Sequence, residues 1–504
     1  MEVKELLKRI ELGNSVAEFD AALEEYFVET NTFRILISNG ADIIAGDKGT
    51  GKTALYKYLK KKYATLPEMV NVEIVSAFNP SGDSIFQKLG RAATLQEGQY
   101  ISIWKAYILS LVGNWLLEIY EDNFTDNMHE LDDLLKKMDL RSSDDTPATI
   151  FSRLMGTVRR LMNPKSFEVA FSFSEAGMPI ITPKLDFELG EGEKRKIDVV
   201  PYEDIFKLLN VVLGEIKFQV WIIFDRLDEA FQGYPETETF ALRALLRTYL
   251  DLLEFDNIKV KLFVRNDLFR KITRGGFVNL THVNARKIQI IWDEEDLLNI
   301  LCKRIKKNKE LKEYMHLDDK TDKEIFYTIF PARVDPGTRK PSTWKWIINR
   351  IKDGNSVKPP RNLIDFVQKT QAAQLRKEER TGRIYSEGAI IVKPDSLRKG
   401  LSKLSEERVQ DTLLAETPEY EEIINKFKNG KAEHNISSIA RLLNIFETTV
   451  KSRIAPLIEI GFLEEVGESY KIPMLYREGL SITQGKAFQI EGGLEEVEEE
   501  EEGV

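Results

Sequence analysis

Residues 46–53 read Gly46-Asp47-Lys48-Gly49-Thr50-Gly51-Lys52-Thr53, a full match to the pattern G-x-x-x-x-G-K-[ST]. In such a loop the glycines let the backbone wrap tightly, so that several N–H groups converge on phosphate oxygens, and the N-terminus of the following helix adds partial positive charge. On one side, Ala41-Asp42-Ile43-Ile44-Ala45 is a short apolar run fit for a buried strand. On the other, Ala54-Leu55-Tyr56-Lys57-Tyr58-Leu59 reads as a helix. Strand, glycine loop and helix are the context this motif requires, and they predict binding of a nucleoside triphosphate, ATP by default. Lys52 is expected to reach the β- and γ-phosphates and the Thr53 hydroxyl to hold Mg²⁺.

Much further along, Gln219-Val220-Trp221-Ile222-Ile223-Phe224 is a continuous apolar run that ends in Asp225-Arg226-Leu227-Asp228-Glu229. It reads as a buried parallel strand with acids at its carboxyl end, where ligands bind in open α/β sheets. Asp225 is placed to hold the Mg²⁺ shell, and Asp228 or Glu229 to orient or deprotonate an attacking water. The alternative is an acidic loop start that caps the next helix. Further strands are expected at 70–77, 258–264 and 287–291 with helical patterns between them, an alternating α/β core. The run 258–264 ends in Arg265-Asn266-Asp267. Either a side chain there senses the γ-phosphate, or Asn266 or Asp267 is the N-cap of Leu268-Phe269-Arg270-Lys271.

The chain has 504 residues, enough for about three to four domains. Its 42% hydrophobic and 31% charged content is ordinary for globular proteins and supplies a sizeable core. A single cysteine, Cys302, excludes an internal disulfide framework and fits a reducing, cytoplasmic setting. His129, His282, His316 and His434 are far apart in sequence, which argues against a zinc site. The opening MEVKELLKRIELG has no apolar h-region, which argues against a secretory signal. The most apolar helical stretch, 107–120, is short and carries Asn114 and Glu118, so no membrane span is expected. Most of the net charge of −10 lies in the last fourteen residues, EGGLEEVEEEEEGV, which hold eight glutamates and no base and read as disordered.

The phosphate loop, the acidic strand end DRLDE and the polar strand end FVRND resemble those of bacterial P-loop ATPases of the additional-strand class related to AAA+ and STAND (origin-recognition-like) proteins. The stretch EEYFVETNTFRIL, the segment KPPRNLIDFVQKTQ and a C-terminal winged helix add to the resemblance. It implies a P-loop NTPase fold: a five-stranded parallel sheet with the second acidic strand beside the phosphate-loop strand, then a helical lid and a C-terminal winged helix-turn-helix. It also implies Lys52 and Thr53 on phosphates and Mg²⁺, Asp225 on the metal, and Arg265 or Asn266 as first sensor. Arg361, opening helix 362–370 after Pro359-Pro360, resembles the lid's second sensor arginine; the alternative is an exposed helix-start residue. The simplest AAA+ form has glutamate directly after the metal aspartate, whereas here Arg226 follows Asp225. The spacing of Asp228 and Glu229 is closer to STAND relatives, which fits slow, switch-like hydrolysis and leaves open which acid is the base. Arg270 and Arg274 are candidates for a trans-acting arginine finger or are surface charges.

The expected organisation is an ATPase core in two parts, 1–100 and 201–292, an insertion at 101–200, a lid at 293–375, a linker and connecting helix at 376–415, a winged helix at 416–484 and an acidic tail at 485–504. In the insertion, 101–120 is aromatic and amphipathic with Trp104 and Trp115, and 167–189 alternates as a two-stranded ribbon around Gly177-Met178-Pro179. Such a ribbon either reaches a partner or nucleic-acid strand or covers the edge of the core. The basic stretch Lys303-Arg304-Ile305-Lys306-Lys307-Asn308-Lys309 either meets phosphate backbone or is a solvated helix face.

Helical patterns at 421–428, 436–445 and 448–460, followed by a hairpin turning at Gly467-Glu468, make up the winged-helix pattern. DNA binding would use Thr448, Thr449, Lys451, Ser452 and Arg453. The wing carries Glu464, Glu465 and Glu468, which repel phosphates and favour protein docking or autoinhibition. Two functions stay open: a nucleic-acid-associated ATPase in replication, repair or antiviral defence, and an ATP-gated switch that forms homo-oligomers and docks a protein partner or effector. A small-molecule phosphotransferase is a third, against which the winged helix and the paired acids argue.

Overall fold

The computed structural model describes residues 1–77, 96–121, 123–141, 146–147, 149–150, 153–154, 170–173, 179–182, 200–228 and 235–483. They fall into two units, Phe27–Ile291 and a second made of Met1–Tyr26 with Trp292–Val504. The acidic tail lies outside the described residues. No helix among them is long and apolar enough to cross a membrane.

The first unit is built on strands β1 (Ile43–Gly46), β2 (Val72–Ser76), β5 (Gln219–Phe224), β6 (Ile258–Arg265) and β7 (Lys287–Gln289), with β3 (Ala170–Phe173) and β4 (Pro179–Thr182) as a separate antiparallel ribbon. The five-stranded sheet has the order β2-β5-β6-β1-β7, and every pairing in it is parallel. This corrects one expectation: the strand beside β1 is β6, and the acidic strand β5 stands one place further out. Both β5 and β6 are apolar along most of their length, so hydrophobic pattern suits either to the position next to β1; the crossover connections, which the pattern does not encode, set the order.

Helix Glu97–Ile119 was expected to open an insertion, yet it belongs to the core of this unit. Tyr100, Trp104, Tyr107, Ile108 and Leu116 are buried on it, and a helix apolar on most sides is stable only when covered on most sides. Trp104 donates its indole N–H to the Ala241 carbonyl at 2.8 Å, and its ring meets Phe224 of β5 edge-on at 5.7 Å. Of the alternating stretch 167–189, residues 170–173 pair with 179–182 as an antiparallel ribbon, and the rest lies outside the described residues.

A buried ion network joins the middle of β6 to the residues that precede β1 and β7. Lys261, fully buried in β6, donates to Asp42 Oδ1 at 2.7 Å and to the Ala41 carbonyl at 2.8 Å, with its ammonium 4.1 Å from the Trp221 ring centroid. Arg286 donates to both oxygens of Asp42, at 2.8 and 3.0 Å, and the Tyr249 hydroxyl donates to Oδ2 at 3.0 Å. Burial pushes Lys261 down to about 8, still protonated at neutral pH. Burial acts to raise Asp42, but Arg286 and Lys261 hold it below the usual carboxylate range.

In the second unit the first 26 residues pack with the C-terminal part of the chain rather than with the ATPase core to which 1–100 was assigned. Helix Val3–Arg9 lies on helix Pro360–Arg380, and Gln371 of that helix donates to the Ile10 carbonyl at 2.9 Å. Arg304, from the basic stretch, is buried here: it donates to Asp20 at 3.0 Å and stacks over Tyr26 at 4.0 Å. That stretch is therefore not a uniform solvated face. The expected linker also differs, since helix Pro360–Arg380 runs through its start. Glu378 is buried and accepts Gln374 Nε2 at 2.7 Å and Arg383 at 2.7 Å, so polar residues that read as a linker are internally paired. The connecting helix follows at Pro394–Glu407.

At the C-terminus come helix Glu421–Lys426, β8 (Glu433–His434), helices Ile436–Leu443 and Glu447–Glu459, then β9 (Glu464–Val466) and β10 (Ser469–Lys471). The sheet order is β8-β10-β9, antiparallel, with the hairpin turning at Gly467, whose φ is +57°. This is the element order of a winged helix-turn-helix.

Candidate functional site

Residues 46–53 sit where β1 ends and helix Lys52–Lys62 begins. Gly51 has φ +99°, a left-handed conformation that L side chains rarely adopt. At Gly46 a Cβ would come within 2.6 Å of Thr50 Oγ1, so a side chain here would displace the Thr50 hydroxyl. The Thr50 hydroxyl donates to the Asp47 carbonyl at 2.8 Å. Lys52 turns back over the loop and donates to the carbonyls of Gly46 at 2.8 Å and Asp47 at 3.1 Å. Its ammonium is thus held over the loop, with Lys48 exposed and Gly49 part-buried on the turn. Burial lowers the Lys52 pKa, opposed by the charge of Asp228 and, more weakly, of Asp225 and Asp47.

Asp225, at the carboxyl end of β5, is 5% exposed. Burial pushes its carboxyl up to about 6, against the Arg226 amide and charge, the Lys52 charge and the Thr53 hydroxyl, which favour the ionised form. Arg226 adopts φ +58°, so the chain turns sharply after Asp225. The structure therefore brings Thr53 and Asp225 together, as expected of a shared Mg²⁺ site. One carboxylate and one hydroxyl suit Mg²⁺, which keeps waters and takes further oxygens from phosphate. No cluster of three His, Cys, Asp or Glu ligands occurs among the described residues.

An ionised Asp225 is expensive to bury, and the sign of its effect on stability follows. Its folded pKa of about 6 lies above the ordinary value of 3.8, so the folded state holds the proton longer than the unfolded state. The cost is absent below about pH 3.8 and fully present above about pH 6. Asp225→Asn is expected to stabilise the protein by about 1–3 kcal/mol at pH 8 and to leave stability unchanged at pH 3.5, as read by urea unfolding at the two pH values. Equal effects at both would contradict the assignment of a buried, ionising Asp225.

The register places Arg265 opposite Gly46, so the end of β6 delivers its polar residues beside the loop. Arg265 grips Asp267 with Nε at 3.1 Å and a terminal nitrogen at 2.8 Å, and reaches Asp228 at 3.5 Å. Asn266 donates its side-chain N–H to Asp47 Oδ2 at 2.9 Å. Neither Asn266 nor Asp267 is the N-cap of helix Asn266–Thr273: Arg265 occupies that position, without a capping side chain. Burial acts to raise Asp267, but the charge and hydrogen bonds of Arg265 hold it below its usual range. Its role as partner of Arg265 was hidden by its likeness to a capping residue.

Lys52, Thr53, Asp225, Asp228, Arg265 and Asn266 thus converge at the carboxyl ends of β1, β5 and β6. Glu229 lies outside the described residues. Arg361 belongs to the second unit, where it opens helix Pro360–Arg380. Burial and Arg408 lower its pKa against Glu18 and Asp365, and its Nε has no hydrogen-bond partner among the described residues. Arg270 lies on helix Asn266–Thr273 and Arg274 follows as its C-cap.

No protein-family model matches the chain, and no curated protein matches it. Among solved structures it is similar to ORC2 of Aeropyrum pernix, solved as ADPNP-ADP complexes, at 12% identity over 89% of this chain and 90% of that one, with a TM-score of 0.35. ORC1 of the same organism, solved in complex with DNA, gives 10% identity, coverage of 93% and 96%, and a TM-score of 0.36. Cdc6p of Pyrobaculum aerophilum gives 12% identity, coverage of 87% and 88%, and a TM-score of 0.26. These are loose likenesses, and the fold stands on the strand order and loop geometry of the chain itself.

Proposed function

We propose that this chain is a Mg²⁺-dependent ATPase whose nucleotide state governs how it engages nucleic acid or a partner. The observation that carries the reading is the convergence of a lysine, a buried carboxylate beside a threonine hydroxyl, a second carboxylate and two sensor-type side chains on the ends of three adjacent strands. Lys52 neutralises charge on the β- and γ-phosphates, exchanging the loop carbonyls for phosphate oxygens. Thr53 and Asp225 would hold Mg²⁺, which supplies charge neutralisation between the phosphates. Asp228, or Glu229 next to it, orients the attacking water or takes its proton. Arg265 holds Asp228 and Asp267 in place, and Asn266 offers an uncharged donor to the γ-phosphate.

The winged helix gives the partner question two sides. Helix Glu447–Glu459 exposes Thr448, Thr449, Lys451, Ser452 and Arg453, with Phe446 82% exposed at its start, a face able to enter a DNA groove. The exposed Glu465 and Glu468 of the wing repel phosphate and favour the second reading, an ATP-gated switch that docks a protein.

Steady-state hydrolysis by Asp228→Asn and Glu229→Gln, made separately and assayed with and without duplex DNA, tests the reading. The variant lacking the base is expected to keep ATP bound and lose hydrolysis by about 100-fold or more. Full turnover in both would remove this strand end from the chemistry. Stimulation by DNA supports nucleic-acid coupling, and DNA-indifferent turnover supports the switch.

A further inference from the structure

Asp47 is a carboxylate inside a phosphate-binding loop, where its charge opposes that of the ligand the loop is built to hold. Its main chain is fixed, because its carbonyl accepts both the Thr50 hydroxyl at 2.8 Å and Lys52 Nζ at 3.1 Å. Its side chain is committed as well: Oδ2 accepts the amide of Asn266 at 2.9 Å. An ionised carboxylate only accepts, so the NH₂ side of Asn266 must face it. The bond links two elements far apart in sequence, the loop after β1 and the first residue of the helix after β6, and the pairing of Gly46 with Arg265 brings them together.

Resting on the reading of this site as an ATP site, we propose that Asp47 sets the discrimination between ATP and ADP by competing with the γ-phosphate for the Asn266 amide. ADP binds without disturbing the Asp47–Asn266 bond. The Asn266 NH₂ group has two N–H donors, and ATP gains its contact by turning that group from the carboxylate toward the γ-phosphate, so the preference for ATP is smaller than the loop and Asn266 would otherwise give. Asp47 also repels both nucleotides, and two variants separate that effect from the competition. In Asp47→Asn the charge is gone, but the side-chain carbonyl still accepts the Asn266 amide. In Asp47→Ala both are gone.

The test is equilibrium binding of ADP and a non-hydrolysable ATP analogue, with Mg²⁺, to the full chain. Both variants are expected to bind both nucleotides more tightly than the wild type. The ATP-over-ADP preference of Asp47→Ala is expected to exceed that of Asp47→Asn by about 3–10-fold, the effect of one released hydrogen bond. In an Asn266→Ala background the two Asp47 variants are expected to show the same preference. Equal preferences of Asp47→Ala and Asp47→Asn with Asn266 intact would overturn the proposal while leaving the ATP site standing, as would an unchanged difference without Asn266. A wild-type chain that binds neither nucleotide would overturn both.

Discussion

Lys52→Ala is expected to weaken binding of Mg²⁺-ATP by about 1000-fold, roughly 4 kcal/mol, while the protein stays folded. The two halves of this expectation come from the same geometry. The ammonium is held over the loop by the carbonyls of Gly46 and Asp47, within the electrostatic reach of Asp225 and Asp228. Its loss removes the lysine charge that the pattern G-x-x-x-x-G-K-[ST] itself specifies. Burial disfavours the charged lysine, opposed by Asp228, Asp225 and Asp47, so the folded protein is expected to lose little when it goes. Thermal melting of the variant should match the wild type or exceed it. A variant that binds ATP as the wild type does would detach the loop from its assigned chemistry, and one that fails to fold would make Lys52 structural.

Asp42→Ala is expected to destabilise the first unit by about 3–5 kcal/mol, the usual cost of stranding a buried charge. Lys261 is fully buried and takes its principal counter-charge from Asp42, which Arg286 shares. Without Asp42 its ammonium keeps only neutral acceptors. Urea unfolding should show the loss at neutral pH and a smaller loss as the pH approaches the ordinary lysine value, because an unpartnered Lys261 sheds its proton more readily. Adding Lys261→Met to Asp42→Ala should recover much of the stability, since no charge is then left unpaired on that strand. A loss below about 1 kcal/mol for Asp42→Ala alone would show that the network does not hold the strands together.

What the sequence disclosed follows from how each feature is encoded. The loop at 46–53 between a strand and a helix, and the strand Gln219–Phe224 with Asp225 at its end, were legible because both are written in fixed residue types at short spacing. The pairing of Thr53 with Asp225 followed from that chemistry, although far-separated stretches supply the two residues. Strand order was less legible: β6 between β1 and β5 is set by connections, and two apolar runs of similar character compete for the place. Asp42 was read as one residue of an apolar run, since Lys261 and Arg286 lie more than 200 positions away and no local pattern announces them. Helix Glu97–Ile119 read as the start of an insertion because it falls between the two halves of the ATP motif, whereas its nearly all-round apolar surface marks it as core. The start of 376–415 read as a linker because charged and polar residues dominate there, yet Arg383 donates to the buried Glu378 Oε1 within the fold.

The central claim is that the chain binds ATP through residues 46–53 together with Asp225. The most direct test is an equilibrium titration of the purified chain with a fluorescent ATP analogue, with and without Mg²⁺, and with Lys52→Ala as the control. Saturable binding that Mg²⁺ strengthens and Lys52→Ala abolishes is the predicted result. No saturable binding by the wild type up to millimolar nucleotide, or equal binding by Lys52→Ala, would contradict it.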